Sequence, residues 1–323
     1  MAISIFWFMV GLLLLIKGGD WFVDGASGIA KKFHVPDILI GATVVSIGTT
    51  LPEVMVSATS AFSGHGEIAY GNAIGSIICN TALIAAITVT VRPAKIERST
   101  LKLPVIVFFV AAAVYAVVAY WLGEFTRGVG LILLAIFVVY IALSVRNATK
   151  SSNTSKDSQV VENVDNKDFI KNIVMLVVGA GVIAFGADLL VDNGTIIAEK
   201  LGVPESVIAL TFIALGTSLP ELVTAISSLV KGHGALSLGN VIGANILNLV
   251  FVSGVASAIS PFSVPNNTQI AGINASLLID VPVMLLVMAL LTLPALKREK
   301  LSRVQGIVLL AVYIAFCAFQ FSI

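Results

Sequence analysis

The sequence predicts an all-α membrane protein of ten transmembrane helices in two inverted five-helix repeats. Three observations carry this: an apolar composition, a gapless internal repeat, and basic residues sorted onto alternate loops. Of the 323 residues, 58% are apolar and only 11% charged. Mean hydropathy is +1.02, more than a water-soluble domain needs for one core. The lipid bilayer is the expected solvent, and a formal net charge of +1 gives no reason to expect nucleic acid as a partner.

Ten apolar stretches are long enough to cross a hydrocarbon core of roughly 30 Å. They cover residues 3–29, 37–62, 68–91, 103–122, 127–145, 169–190, 204–230, 236–259, 272–294 and 303–321. The first has no basic residues ahead of it and continues past Gly19, so it reads as a retained span and not a cleaved leader. Counted loop by loop, sixteen basic residues fall on one side: Lys31, Lys32, Arg92, Lys95, Arg98, Lys102, Arg146, Lys150, Lys156, Lys167, Lys171, Lys231, Lys297, Arg298, Lys300 and Arg303. Only Arg127 and Lys200 fall on the other. Basic residues accumulate in cytoplasmic loops, so both termini are expected outside a cell membrane and the central linker inside.

Shifted by 168 positions, Lys17–Asn80 aligns with Phe185–Asn248 without a gap, and 26 of those 64 positions are identical. Chance would give roughly one in ten for this composition. The identities include Asp20 with Asp188, Asp24 with Asp192, Pro36 with Pro204, and Asn80 with Asn248, which shared hydrophobicity does not explain. Five spans per half is an odd number, so the second half enters the membrane from the opposite side. The expected division is 1–146, a polar linker at 147–168, and 169–323. Inverted repeats of this kind place a substrate site at their interface near the bilayer midplane.

The chemistry concentrates in Gly48-Thr49-Thr50-Leu51-Pro52-Glu53 and its mate Gly216-Thr217-Ser218-Leu219-Pro220-Glu221. Each proline removes a backbone donor, so the carbonyls of Gly48, Thr49, Gly216 and Thr217 are expected to lose helical partners. Inside a bilayer, such carbonyls need another partner. A carboxylate held there must bind a proton, a base or a metal ion. Lys17 is the one basic residue away from the ends of a span, which leaves a proton or a metal for Glu53 and Glu221. The third and eighth spans add Gly71-Asn72-Ala73-Ile74-Gly75-Ser76 and Gly239-Asn240-Val241-Ile242-Gly243-Ala244, ending at Asn80 and Asn248. Their glycines recur every four positions, as close helix contact requires, and Ser76 shares a helix face with Asn80. With the hydroxyls of Thr49, Thr50, Thr217, Ser218 and Ser76, the donor set is all oxygen. That set suits hard cations, calcium taking six to eight oxygens, and not zinc or copper, which would call for His or Cys. Two glutamates neutralise one divalent or two monovalent ions, so calcium and sodium could compete for the same charge.

These paired segments resemble the two signature repeats of sodium/calcium exchangers in the cation/calcium exchanger superfamily, and the resemblance spans essentially the whole chain. It implies calcium held by Glu53 and Glu221 with backbone oxygens of Thr49 and Thr217. It further implies sodium at Ser46, Thr50, Ser76, Ala214 and Ser218, partly through carbonyls, with Asn80 and Asn248 lining the centre. The expected activity is antiport of Ca2+ for Na+ by alternating access, spans one and six sliding against the rest, in a monomer without cofactor or catalytic residues. Two positions depart from the pattern: Ala244 stands where a hydroxyl is usual, and position 248 is Asn where some members carry Asp. A proton-coupled calcium antiporter using the same glutamates is the alternative, kept open by Ala244. A channel would require a ring-shaped filter, and a protease reading of Gly19-Asp20 lacks its partner, because Asp188 follows an alanine.

Four further features read as structural. Asp20 with Asp24, and Asp188 with Asp192, are expected to anchor helix ends or to gate ion access. His65 and His233 punctuate matching turns. Asp280 is a packed polar contact, and Cys79 and Cys317 are small apolar fillers.

Overall fold

The computed structural model describes residues 2–33, 35–93, 95–155, 166–200, 218–266, 269–270 and 272–320. It is nearly all helical. The helices are α1 (Ala2–Phe33), α2 (Asp37–Phe62), α3 (Gly66–Val91), α4 (Arg98–Leu122), α5 (Arg127–Ser155), α6 (Asn166–Lys200), α7 (Leu219–Val230), α8 (Gly234–Ile259), α9 (Ser276–Arg298) and α10 (Arg303–Gln320). Among the described residues nine are long and apolar enough to cross a membrane; α7, with 12 residues, is the described part of the expected span 204–230.

The repeat is visible in matched elements. Helices α3 and α8 begin at Gly66 and Gly234 and widen into a π turn at Asn80 and Asn248, each 168 positions after its mate. Helices α1 and α6, also mates, lie side by side and antiparallel: Gly18 meets Ile183, while Gly25 meets Asn172 and Leu176. This is the inverted relation seen directly. The contact is close because it is lined with glycine; a Cβ on Gly179 would lie 2.6 Å from the backbone nitrogen of Phe22. In lipid, helix association gains little from burying apolar surface, so close van der Waals approach has to supply it.

Two apolar cores result. The larger joins α2–α5 with α7–α10 around the buried rings of Tyr70, Tyr115, Phe108 and Phe125. The smaller attaches the α1/α6 pair to the rest through Leu15, Phe22, Val23, Ile183, Ile40, Val45 and Leu236. At one end of the molecule β1 (Glu124–Phe125) pairs antiparallel with β2 (Phe262–Ser263), and β3 (Gln269–Ile270) with β4 (Ile273–Asn274). At the other end Ile96 donates to the Glu299 carbonyl over 3.0 Å and the Phe33 ring meets Phe169. Lys31 lies in the last turn of α1, Arg92 donates to the Leu229 carbonyl beside Lys231, and Lys95 bridges to Lys300, so this second end is the basic one.

π turns also occur at Gly41–Val45, Val118–Leu122 and Ser276–Asp280. A π turn frees carbonyls that need other donors. The Ala42 carbonyl accepts from the buried Tyr140 hydroxyl, and that of Asn248 from Ser253 Oγ at 3.0 Å.

Candidate functional site

Glu53 lies in the middle of α2 and Glu221 in the first turn of α7, and both are fully buried. The first repeat reaches the second directly. Thr50 Oγ1 donates to Glu221 Oε1 over 3.4 Å, and Thr49 Oγ1 donates to Asn240 Oδ1 over 3.1 Å. Ser46, Ser76, Asn80, Ser218 and Asn248 are buried as well. Ala214 and Thr217 lie outside the described residues, as do the Gly216 and Thr217 carbonyls expected to lose helical partners. The two prolines differ in setting: Pro52 is interior to its helix, whereas Pro220 opens α7 at a position where a missing N–H costs nothing.

Of the buried side-chain oxygens without a hydrogen-bond partner among the described residues, six belong to these residues: Glu53 Oε1 and Oε2, Glu221 Oε2, Ser218 Oγ, Asn80 Oδ1 and Asn248 Oδ1. Leaving one such group unsatisfied costs about 1–3 kcal/mol, more when charged. No basic side chain among the described residues pairs with either glutamate. A hard cation satisfies such oxygens; a transition-metal site would need nitrogen or sulfur.

The asparagines of the two Gly-Asn segments, which the sequence reading left within packing motifs, turn out to brace this site. Asn72 Nδ2 donates to the Glu53 carbonyl at 3.3 Å and to Ser57 Oγ at 2.9 Å. Asn240 instead receives Thr49 across the repeat interface. Asn245 was missed outright. Its Nδ2 donates to Thr81 Oγ1 at 2.7 Å and contacts Met288 Sδ at 3.1 Å, joining α3, α8 and α9 beside the π turns. Its repeat mate is Ile77, so self-alignment gave no signal for it. Cys79 is buried at the end of the helical turn before Asn80. His233 does more than mark a turn, placing Nδ1 2.9 Å from Asp37 Oδ2. Asp280 accepts from Gln320 Nε2 at 2.7 Å, the polar contact that the sequence left unidentified.

A cavity of about 580 Å³ runs between α1, α2 and α6 to the signature segments. Its lining among the described residues includes Gly48, Leu51, Pro52 and Pro220 of the signature segments, Phe22 of α1, Leu176 and Ala184 of α6, and Asp188 as the one ionisable residue.

A family model described as sodium/calcium exchanger protein matches residues 3–146 and 171–322. Sodium/calcium exchanger MaX1 of Methanosarcina acetivorans is 30% identical over 349 residues, covering 98% of this chain and 97% of that protein. An uncharacterized membrane protein of Methanocaldococcus jannaschii is 33% identical over 317 residues, 97% of each chain. A solved structure of the sodium-calcium exchanger NCX_Mj, soaked with sodium and strontium, superposes with a TM-score of 0.84 at 32% identity over 98% of both chains. The similarity runs through both repeats and nearly end to end, and the chain belongs to the sodium/calcium exchanger protein family.

Proposed function

We propose that the protein is a secondary-active antiporter that exchanges Ca2+ for Na+ across a cell membrane by alternating access, both ions competing for Glu53 and Glu221. The observation that carries this is the pair of buried carboxylates, Glu221 met from the opposite repeat by Thr50 and both left without a basic partner among the described residues. Two carboxylates balance one Ca2+ or two Na+, so the site stays near neutrality in either loaded form while crossing a medium that penalises net charge.

In this reading Ca2+ sits between Glu53 and Glu221, with backbone oxygens of Thr49 and Thr217 completing the coordination. Sodium uses Ser46, Thr50, Ser76, Ala214 and Ser218, partly by carbonyls, and Asn80 and Asn248 line the centre. The units 1–146 and 169–323 are the two five-helix repeats, joined by a cytoplasmic linker at 147–168, with both termini outside and one chain sufficient for transport. The ions are cargo, and the cycle calls for neither a catalytic group nor a cofactor.

One observation favours a second reading. Ala244 is fully buried at the position equivalent to Ser76, so the second repeat offers one oxygen fewer, as a proton-coupled calcium antiporter could tolerate. Radiolabelled calcium uptake into proteoliposomes loaded with sodium or with choline, with and without a pH gradient, separates the two. Uptake that requires internal sodium and disappears in Glu53→Gln and Glu221→Gln supports sodium/calcium exchange. Uptake driven by the pH gradient alone overturns it in favour of proton coupling.

A further inference from the structure

The two repeats are equivalent in sequence but not in contact, and the difference is concentrated at one lysine. Lys231 Nζ lies 2.7 Å from Asp24 Oδ1 and 3.6 Å from Asp20 Oδ1, and donates to the Asp20 carbonyl at 2.8 Å. All three acceptors belong to α1. The turn that carries Lys231 is itself fixed to other helices: Arg92 Nη1 donates to the Leu229 carbonyl at 3.3 Å, and His233 meets Asp37 at the start of α2. Just inside this bracket α1 docks tightly on α7. A Cβ on Gly19 would lie 2.5 Å from Val223 and 2.8 Å from Ser227 Oγ.

The mirrored contact is α6 against α2, and there the mates of Gly19, Val223 and Lys231 are Ala187, Met55 and Ser63. Ser63 cannot form an ion pair. Among the described residues no basic side chain pairs with Asp188 or Asp192, the mates of Asp20 and Asp24. In place of a tight contact lies the cavity of about 580 Å³ lined by Met55 and Asp188. Among the described residues the contact is thus tight at the basic end, where Lys231 acts, and gives way to the cavity on the mirrored side, where Ser63 stands in place of the lysine.

We infer that Lys231 is a positioning residue of the transport cycle, a one-sided latch that holds α1 on α7 and biases the ion site to open away from the basic end. The inference rests on the alternating-access reading above. Partly exposed ion pairs are individually weak, but this one joins two carboxylates and a helix carbonyl to a single ammonium. A coupling of this size shifts a two-state balance by roughly three- to tenfold.

Two measurements test it. Spin labels at Lys31→Cys and Val230→Cys, with Cys79 and Cys317 replaced, report the separation of α1 from α7 by dipolar spectroscopy without requiring transport. One dominant distance is expected in the parent, with a second, longer population gaining three- to tenfold in Lys231→Ala and in Asp24→Asn. The same distribution in both variants overturns the latch. In oriented proteoliposomes, the ratio of half-saturating calcium at the two faces should shift several-fold in Lys231→Ala and move in the same direction in Ser63→Lys, which supplies a mirror lysine to Asp188 and Asp192. An unchanged ratio in both also overturns it. If the parent shows no sodium-driven calcium flux while the spin-label distances behave as expected, the exchange reading fails and the latch stands.

Discussion

Thr50 in the first repeat donates its hydroxyl to Glu221 in the second, 3.4 Å away. The contact ties the proposed ion site to the interface between repeats: moving one half against the other changes the surroundings of Glu221. Thr50→Ala removes this donor and, in the proposed reading, one sodium oxygen, while leaving both carboxylates in place. A single net hydrogen bond is worth about 0.5–1.5 kcal/mol, so half-saturating sodium should rise roughly three- to tenfold with little change in maximal calcium flux. Sodium titration of counter-flow checks this.

Glu53→Gln and Glu221→Gln each leave one carboxylate where a divalent ion needs two. Each should lower calcium flux by about a hundredfold or more, since an uncompensated charge at this depth costs at least ~2.5 kcal/mol. Uptake measured at saturating calcium distinguishes this loss from a simple change in affinity.

Ala244→Ser restores a hydroxyl at the position equivalent to Ser76. Half-saturating sodium should fall about two- to fivefold, as one net hydrogen-bond-sized contribution allows, and the sodium dependence should steepen. The effect is read in the same sodium titration, with Ser76→Ala as the opposite control.

The Asn245 brace predicts a stability effect separable from transport chemistry. Asn245→Ala leaves Thr81 and Met288 without their shared partner. Polar contacts between membrane helices average about 0.6 kcal/mol and reach about 1.7, so a loss near 1 kcal/mol is expected in detergent unfolding experiments.

Gly179→Val tests the α1/α6 contact. The new Cβ would meet the Phe22 backbone at 2.6 Å, which forces the helices apart. Overpacking of this kind costs about 1–3 kcal/mol, and a lowered melting temperature together with slowed exchange is the expected outcome.

Much of this architecture is legible in the sequence because lipid restricts the options. Span lengths follow from bilayer thickness, and the duplication exposes Glu53, Glu221, Asn80 and Asn248 as matched polar residues in apolar surroundings. Residues that act through tertiary pairing were not legible. Lys231 and Asp24 are 207 positions apart, and neither carries a local signature of the other. Asp20 and Asp24 therefore read only as anchors or gates. Asn245 escaped because its mate is Ile77, and an internal repeat carries no signal for a residue used by one half alone. The π turns at Asn80 and Asn248 leave no periodicity trace, since one widened turn shifts register by a single residue.

In the proposed reading calcium and sodium share the same two carboxylates. Equilibrium binding of radiolabelled calcium to the purified protein, titrated with sodium against a choline control, is the decisive measurement. Sodium should displace bound calcium completely, with apparent calcium affinity falling steadily as sodium rises, and Glu53→Gln and Glu221→Gln should bind neither ion appreciably. Calcium that remains bound at saturating sodium, or that binds Glu53→Gln and Glu221→Gln as it does the parent, would contradict a shared site.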